Sequence, residues 1–342
     1  MDIDLLKKTA KQMVAPGKGI LAADESSSTC QKRFDSVGVT CTEENRRAYR
    51  ETLLTAPGLE QYISGVILYD ETIRQETNEG EAFAAVLEKK GILPGIKVDA
   101  GLKGLALHEG EKITEGLDGL RERLAEYKTL GARFAKWRAV ITIGKDIPSD
   151  ACIHANAHAM ARYAALCQEA GIVPMVEPEI LIDGDHSIER CYEVSTATLK
   201  KTFEELSGQD VAEGGVILKT SMVIAGKKAA QQASMEEVAQ ETVRAFKETL
   251  PAGLTGVAFL SGGQTDEQAT EHLNAMNVLG KLPWPLSFSY GRALQNPVLK
   301  LWAENPNANI AKAQAALIFR SKMNSLATQG KYSSEMEKER PY

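Results

Sequence analysis

Residues 214–223, "GGVILKTSMV", put a lysine at the end of an apolar run. Val216, Ile217 and Leu218 read as a buried strand, and an ammonium is costly to bury without a partner. A lysine at a strand end ordinarily snorkels to solvent. What sets Lys219 apart is repetition. Seven more short runs with strand character follow the same plan: "GILAADE" (19–25), "SGVILYD" (64–70), "GIKVD" (95–99), "ARFAKWRAV" (132–140), "IVPMVEPE" (172–179), "GVAFLSGG" (256–263) and "PLSFSYG" (285–291). Helical segments lie between them. Two open with capping-box spacing, Ser234 with Glu237 and Thr265 with Gln268. Gly131, Gly171 and Gly208 are placed to close three helices in the left-handed conformation.

Eight strands alternating with helices, without a linker, predict a single (β/α)8 TIM barrel spanning 1–342 rather than an open doubly wound sheet. Two further helical stretches, 293–304 and 309–330, follow the last strand. Residues 331–342, "KYSSEMEKERPY", read as a mobile C-terminal tail.

Bulk properties exclude several classes of function. The chain of 342 residues carries a net charge of −6, so nothing points to nucleic acid or to an anionic membrane surface. Its five cysteines form no C-x-x-C pair, which fits a reducing cytoplasm and argues against a disulfide framework. The N-terminus has acidic residues and no apolar core of signal-peptide type, and no stretch is long enough to span a bilayer. Gly17, Gly19 and Ala22 match G-x-G-x-x-A, but they precede a strand where the dinucleotide fingerprint follows one. His154 and His158 lie one helical turn apart, a spacing metals use, with no carboxylate beside them in the sequence and no H-E-x-x-H match; they read as ordinary helix residues. No metal and no cofactor is expected.

A barrel carries its chemistry at the C-terminal ends of its strands. In chain order these ends hold Asp24, then Lys97 and Asp99, Lys136 and Arg138, Glu177 and Glu179, and Lys219. Ser261-Gly262-Gly263 and Ser289-Tyr290-Gly291-Arg292 complete the set. Side chains alternate along a strand, so Lys136 shares a face with Arg138, and Glu177 with Glu179. If those faces point inward, one mouth holds five cations and four carboxylates. A lysine crowded by cations and partly desolvated has a lowered pKa and can attack a carbonyl, with nearby carboxylates moving protons. The last two strand ends differ in kind. Their hydroxyls, glycine amides and guanidinium suit an anion such as phosphate.

The motifs "GILAADES", "TEENRRAYRE", "GIKVD", "FAKWR", "VEPEI", "DGDHSIERC", "LSGGQ" and "FSYGRA" occur in order over nearly the whole chain. With them the sequence resembles the class I fructose-bisphosphate aldolases. The resemblance implies reversible aldol cleavage of fructose 1,6-bisphosphate to dihydroxyacetone phosphate and glyceraldehyde 3-phosphate through a lysine Schiff base. It implies Lys219 as the imine-forming lysine, Glu177 as proton donor and acceptor, and Glu179 in support. Asp24, Lys136 and Arg138 fall at positions that assist carbon–carbon cleavage. Phosphate binding carries over to Ser261, Gly262, Gly263, Ser289, Gly291 and Arg292, with Ser26, Arg33, Arg46 and Lys97 toward a second phosphate. Tyr342 corresponds to the terminal tyrosine that assists proton exchange. A phosphorylated sugar is thus the expected partner, and a homotetramer the expected assembly. The sequence departs from the family pattern where Thr220 and Ser221 replace Pro-Asn after the lysine, where Ala100 replaces a lysine, and in its shorter tail. A related aldolase preferring another ketose phosphate, and a non-catalytic scaffold of the same fold, are the competing expectations.

Overall fold

All eight runs form strands in the computed structural model, which describes residues 2–342. The strands are β1 (Gly19–Ala23), β2 (Ile63–Leu68), β3 (Leu93–Lys97), β6 (Phe134–Ile141), β7 (Val173–Ile180), β8 (Ile217–Thr220), β9 (Gly256–Phe259) and β10 (Leu286–Tyr290). They close into one parallel barrel in which β10 pairs with β1.

Alternation along the strands builds two apolar regions. Ile20, Ala22, Ile67, Phe134, Val173, Met175, Ile217 and Ala258 form a small inner cluster. Their neighbours in sequence, among them Leu21, Ala135, Trp137, Val176, Leu218, Val257 and Phe259, pack outward in the larger core. The helix Ile3–Met13 is capped by the Asp2 side chain, and its Leu6, Ala10 and Met13 join the inner cluster. Two residues further along the inner face, the pattern turns from apolar to charged. Ala22 is followed by Asp24, Phe134 by Lys136, Met175 by Glu177 and Ile217 by Lys219. The same period that buries the apolar set therefore delivers the charges to one end.

Both predicted capping boxes are made. Gly131 (φ 100°) and Gly171 (φ 71°) adopt the left-handed conformation as expected. Gly208 does not. It stays within the helix Ile188–Gly208, and the positive φ falls two residues later at Asp210 (φ 54°), a residue type whose short polar side chain tolerates that region. A hairpin absent from the sequence reading, β4 (Gly101–Gly104) with β5 (Lys112–Glu115), lies between β3 and β6 in the chain. Its strands are short and mostly exposed, so they carry no apolar alternation by which to be read.

The helices 292–304 and 310–327 follow the barrel as expected. The last residues, read as a mobile tail, form a 3-10 helix at Ser334–Glu339 seated against the protein. The fully buried Arg320 guanidinium donates to both oxygens of Glu337, at 2.6 and 2.8 Å. Tyr332 donates to the same carboxylate at 2.9 Å, and Arg340 joins Glu337 to Glu267. All five cysteines are free thiols. No helix among the described residues is long and apolar enough to cross a membrane.

Candidate active site

At the charged end of the barrel, Asp24, Lys136, Glu177 and Lys219 form a chain of contacts across four strand ends. The Lys136 ammonium lies 2.7 Å from Asp24 Oδ2 and 3.1 Å from Glu177 Oε2. Glu177 Oε1 lies 3.1 Å from Lys219 Nζ. All four residues are buried, none more than 8% exposed. The direct neighbour of Lys219 is thus a carboxylate that it shares with Lys136, where the sequence reading had set it among cations.

Burial pushes the Asp24 carboxyl up, but Lys136 and Lys219 more than offset this and hold it at about 2. Burial likewise pushes Glu177 up. Lys136 and Lys219 outweigh it, so this carboxyl lies below the usual glutamate range. For Lys136 burial works downward, while Asp24, Glu177 and Asp99 hold the ammonium well above the ordinary lysine range. Opposite charges decide the protonation states here. The cluster rests as two carboxylates bracketing a fixed cation.

The backbone pairing behind these groups is short between β7 and β8. Their ladder pairs Met175 with Ile217 and Val176 with Leu218, and stops there. Beyond it the two hydroxyls that replace Pro-Asn take over. Ser221 Oγ accepts from Ile180 N at 3.0 Å and donates to Ile180 O at 2.9 Å, and Thr220 Oγ1 donates to Pro178 O at 3.4 Å. Side chains continue a strand pairing that the backbone has left.

The remaining predicted residues fall into separate groups. Arg138 pairs with Glu179, and Lys97 reaches Asp99 at 2.8 Å. Asp99 is further held by the amides of Gly101 and Arg138. Ser26 caps the helix Ser27–Asp35 by accepting from Thr29 N. Arg33 contacts Glu25 and donates to Gln295 Oε1 at 3.3 Å, and Arg46 holds Glu71 through two contacts of 2.8 and 2.5 Å. Tyr342 stands apart from the charged cluster. Its ring meets Phe319 edge-on at 6.1 Å, and its buried hydroxyl has no hydrogen-bond partner.

On the β9 and β10 side, Ser261 and Ser289 are buried, and the Ser289 hydroxyl has no partner. Gly262 (φ 44°) and Gly263 (φ 84°) take a turn that side chains disfavour, leaving their amides approachable. Arg292 is exposed at the start of the helix Arg292–Glu304, with no ion-pair partner among the described residues.

Sequence reasoning missed the supporting acids. Glu25, next to Asp24, pairs with Arg50 at 2.8 Å as well as with Arg33, and Arg50 is itself only 3% exposed. Its position in "ADES" beside a mouth residue was the available signal. Glu205, from the next long helix, lies 3.3 Å from His154 and 3.0 Å from His158, supplying a carboxylate that the sequence did not show beside them. Among the described residues, no group of three or more such side chains is arranged to hold a metal ion.

A buried lysine shares a carboxylate with a second lysine at the mouth of a closed eight-stranded barrel, an arrangement suited to lyase chemistry on a carbonyl. Comparison with known proteins agrees. The family model for fructose-bisphosphate aldolase class-I matches residues 5–341. A probable fructose-bisphosphate aldolase class 1 of Xanthomonas campestris is 64% identical over 332 residues, covering 97% of this chain and 99% of its own. The cytosolic fructose-bisphosphate aldolase 4 of Arabidopsis thaliana is 52% identical, covering 94% and 82%. A solved fructose-bisphosphate aldolase from Plasmodium falciparum, in a ternary complex with TRAP and a small-molecule inhibitor, matches with a TM-score of 0.95. Its identity is 47%, over 97% of this chain and 96% of that one. The chain belongs to the class I fructose-bisphosphate aldolase family. Its activity is that of a lyase of glycolysis and gluconeogenesis acting on a sugar phosphate.

Proposed function

We propose that Lys219 forms the imine with the ketone carbon of fructose 1,6-bisphosphate and that Glu177 moves the protons this requires. The observation that carries the reading is the single carboxylate shared by two lysines, 3.1 Å from each. Lys219 gives a proton to Glu177 and its amine adds to the carbonyl; the carbinolamine hydroxyl then takes that proton back and leaves as water. A protonated imine results, a stronger electron sink than the ketone. The carbon–carbon bond then breaks with its electron pair flowing toward that nitrogen, as the far hydroxyl gives its proton to Glu177 and the aldehyde departs; protonation of the enamine carbon and addition of water to the imine release the ketone and restore the lysine. Glu177 stands at proton-transfer distance from Lys219. Asp24 and Lys136 fix the cluster's charge, and Arg138 with Glu179 borders it.

In this reading Ser261, Gly262, Gly263, Ser289, Gly291 and Arg292 seat one phosphate. Ser26, Arg33, Arg46 and Lys97 serve the other, which requires Arg33 and Arg46 to exchange their present carboxylates for it. Tyr342 acts only after its segment leaves the seat described above. The enzyme works as a cytoplasmic homotetramer, a state that light scattering of the purified protein tests directly.

Incubation with dihydroxyacetone phosphate, followed by borohydride reduction and peptide mapping, should label the peptide that contains Lys219. Label at another lysine overturns the assignment. Equal turnover on fructose 1-phosphate would shift the reading toward the alternative ketose substrate.

A further inference from the structure

Three loops at the mouth converge on a residue that the reaction scheme above leaves out. The loop after β8 is zipped to the loop after β7 by three consecutive backbone hydrogen bonds. Gly226 N donates to His186 O at 2.8 Å, Lys227 N to Ile182 O at 2.9 Å, and Lys228 N to Gly184 O at 2.8 Å. The approach is so close that a side chain at Gly226 would collide with the carbonyl of Gly184. This pairing fixes where Lys227 stands. Its ammonium covers Gly263, in the turn after β9: a Cβ built on Gly263 would lie 2.6 Å from Lys227 Nζ and 3.4 Å from Ile182 Cδ1. The side chain of Lys227 is 46% exposed. Among the described residues its one ion-pair partner is Asp183, at 3.2 Å and itself 68% exposed.

We propose that Lys227 is a further substrate-binding cation, which turns from Asp183 to the phosphate held by the Ser261-Gly262-Gly263 turn. The inference rests on the phosphate seat proposed above and adds a residue to it. A glycine turn with open amides attracts an anion by itself, and an ammonium held against the same turn adds a full charge. Asp183 holds it only weakly, because exposed ion pairs of this kind are worth little. A phosphate dianion offers twice the charge in a more sheltered place, so exchange of partners favours the bound substrate. Lys227 would therefore act on ground-state and transition-state binding alike, without touching the reacting carbons.

The test compares Lys227→Met, Lys227→Arg and Arg292→Ala in the full-length enzyme. The readouts are KM and kcat for fructose 1,6-bisphosphate, the inhibition constant for inorganic phosphate, and the melting temperature. Lys227→Met should raise KM and the phosphate inhibition constant by about tenfold, with kcat within about twofold and the melting temperature unchanged. Lys227→Arg should restore both constants. If Lys227→Met leaves both unchanged while Arg292→Ala raises them, Lys227 is only a surface partner of Asp183 and the inference fails alone. If Arg292→Ala also changes neither, the phosphate seat on this side of the mouth is wrong, and the inference falls with it.

Discussion

The charged cluster at the ends of β1, β6, β7 and β8 and the turns that follow β9 and β10 are built in opposite ways. The first is made of buried side chains at strand ends, held by opposite charge: Lys219, Glu177, Lys136 and Asp24. The second is made of turns, with left-handed glycines, a buried Ser289 hydroxyl without a partner among the described residues and an exposed arginine. The proposed function assigns bond chemistry to the first, where charge is positioned in a dry place before substrate comes. It assigns to the second the holding of an anion that arrives and leaves. The contrast predicts that damage to the first lowers kcat, and damage to the second raises KM.

The sharpest break in that contrast comes from Lys219→Ala. It should lower kcat by about 10^4-fold or more, while equilibrium dialysis still detects binding of inorganic phosphate. Loss of phosphate binding as well would mean that the two sides are not separable. Glu177→Gln keeps the shape but removes the charge shared by the two lysines. Steady-state assays should show kcat down by about 10^2- to 10^4-fold, with KM changed far less. Arg292→Ala belongs to the other side and should raise KM by about 10- to 100-fold, the scale of one charge-assisted contact, with kcat nearly kept.

Smaller effects sharpen the picture. Ser221→Ala strands the buried Ile180 amide and should cost about 1–3 kcal/mol in urea unfolding. Activity per folded molecule should also fall, because the β7–β8 alignment loosens. The acid limb of stability should report Asp24. Its carboxyl drops from 3.8 to about 2 on folding, so its contribution is in place above pH 3.8 and is lost as pH falls through about 2. That difference corresponds to roughly 2 kcal/mol. Denaturation midpoints of Asp24→Asn measured across this window should show a shallower slope than those of the parent enzyme.

The two sides also differed in how far they could be read from sequence. The strand-borne charges were legible because a period of two carries apolar residues and then charges along one face. Phe134–Lys136–Arg138 and Met175–Glu177–Glu179 show it plainly. What periodicity cannot tell is which charge touches which. That Glu177 would stand between Lys136 and Lys219 depends on the register and depth of three strands. Pairs joined over long separations were invisible for the same reason, such as Arg46 with Glu71 and Arg50 with Glu25. The β4–β5 hairpin escaped because exposed residues leave no pattern. Thr220 and Ser221 were visible as a departure from the family, yet their bonds to β7 belong to the folded backbone alone. On the glycine side the motif was readable, but the turn's neighbour Lys227 was not. Only the zipped loops bring it there.

The seat of the C-terminal segment has a consequence for how Tyr342 is studied. Arg320 has no exposure at all, and Glu337 is its bidentate counter-charge. Clipping the chain upstream of Glu337 would remove the nearer counter-charge of this buried guanidinium and leave it Asp266, 3.6 Å away, and breaking a buried ion pair typically costs about 3–5 kcal/mol. A shortened enzyme that loses activity would then be reporting a weakened scaffold together with a missing phenol. Only the single-atom change Tyr342→Phe asks about the phenol alone.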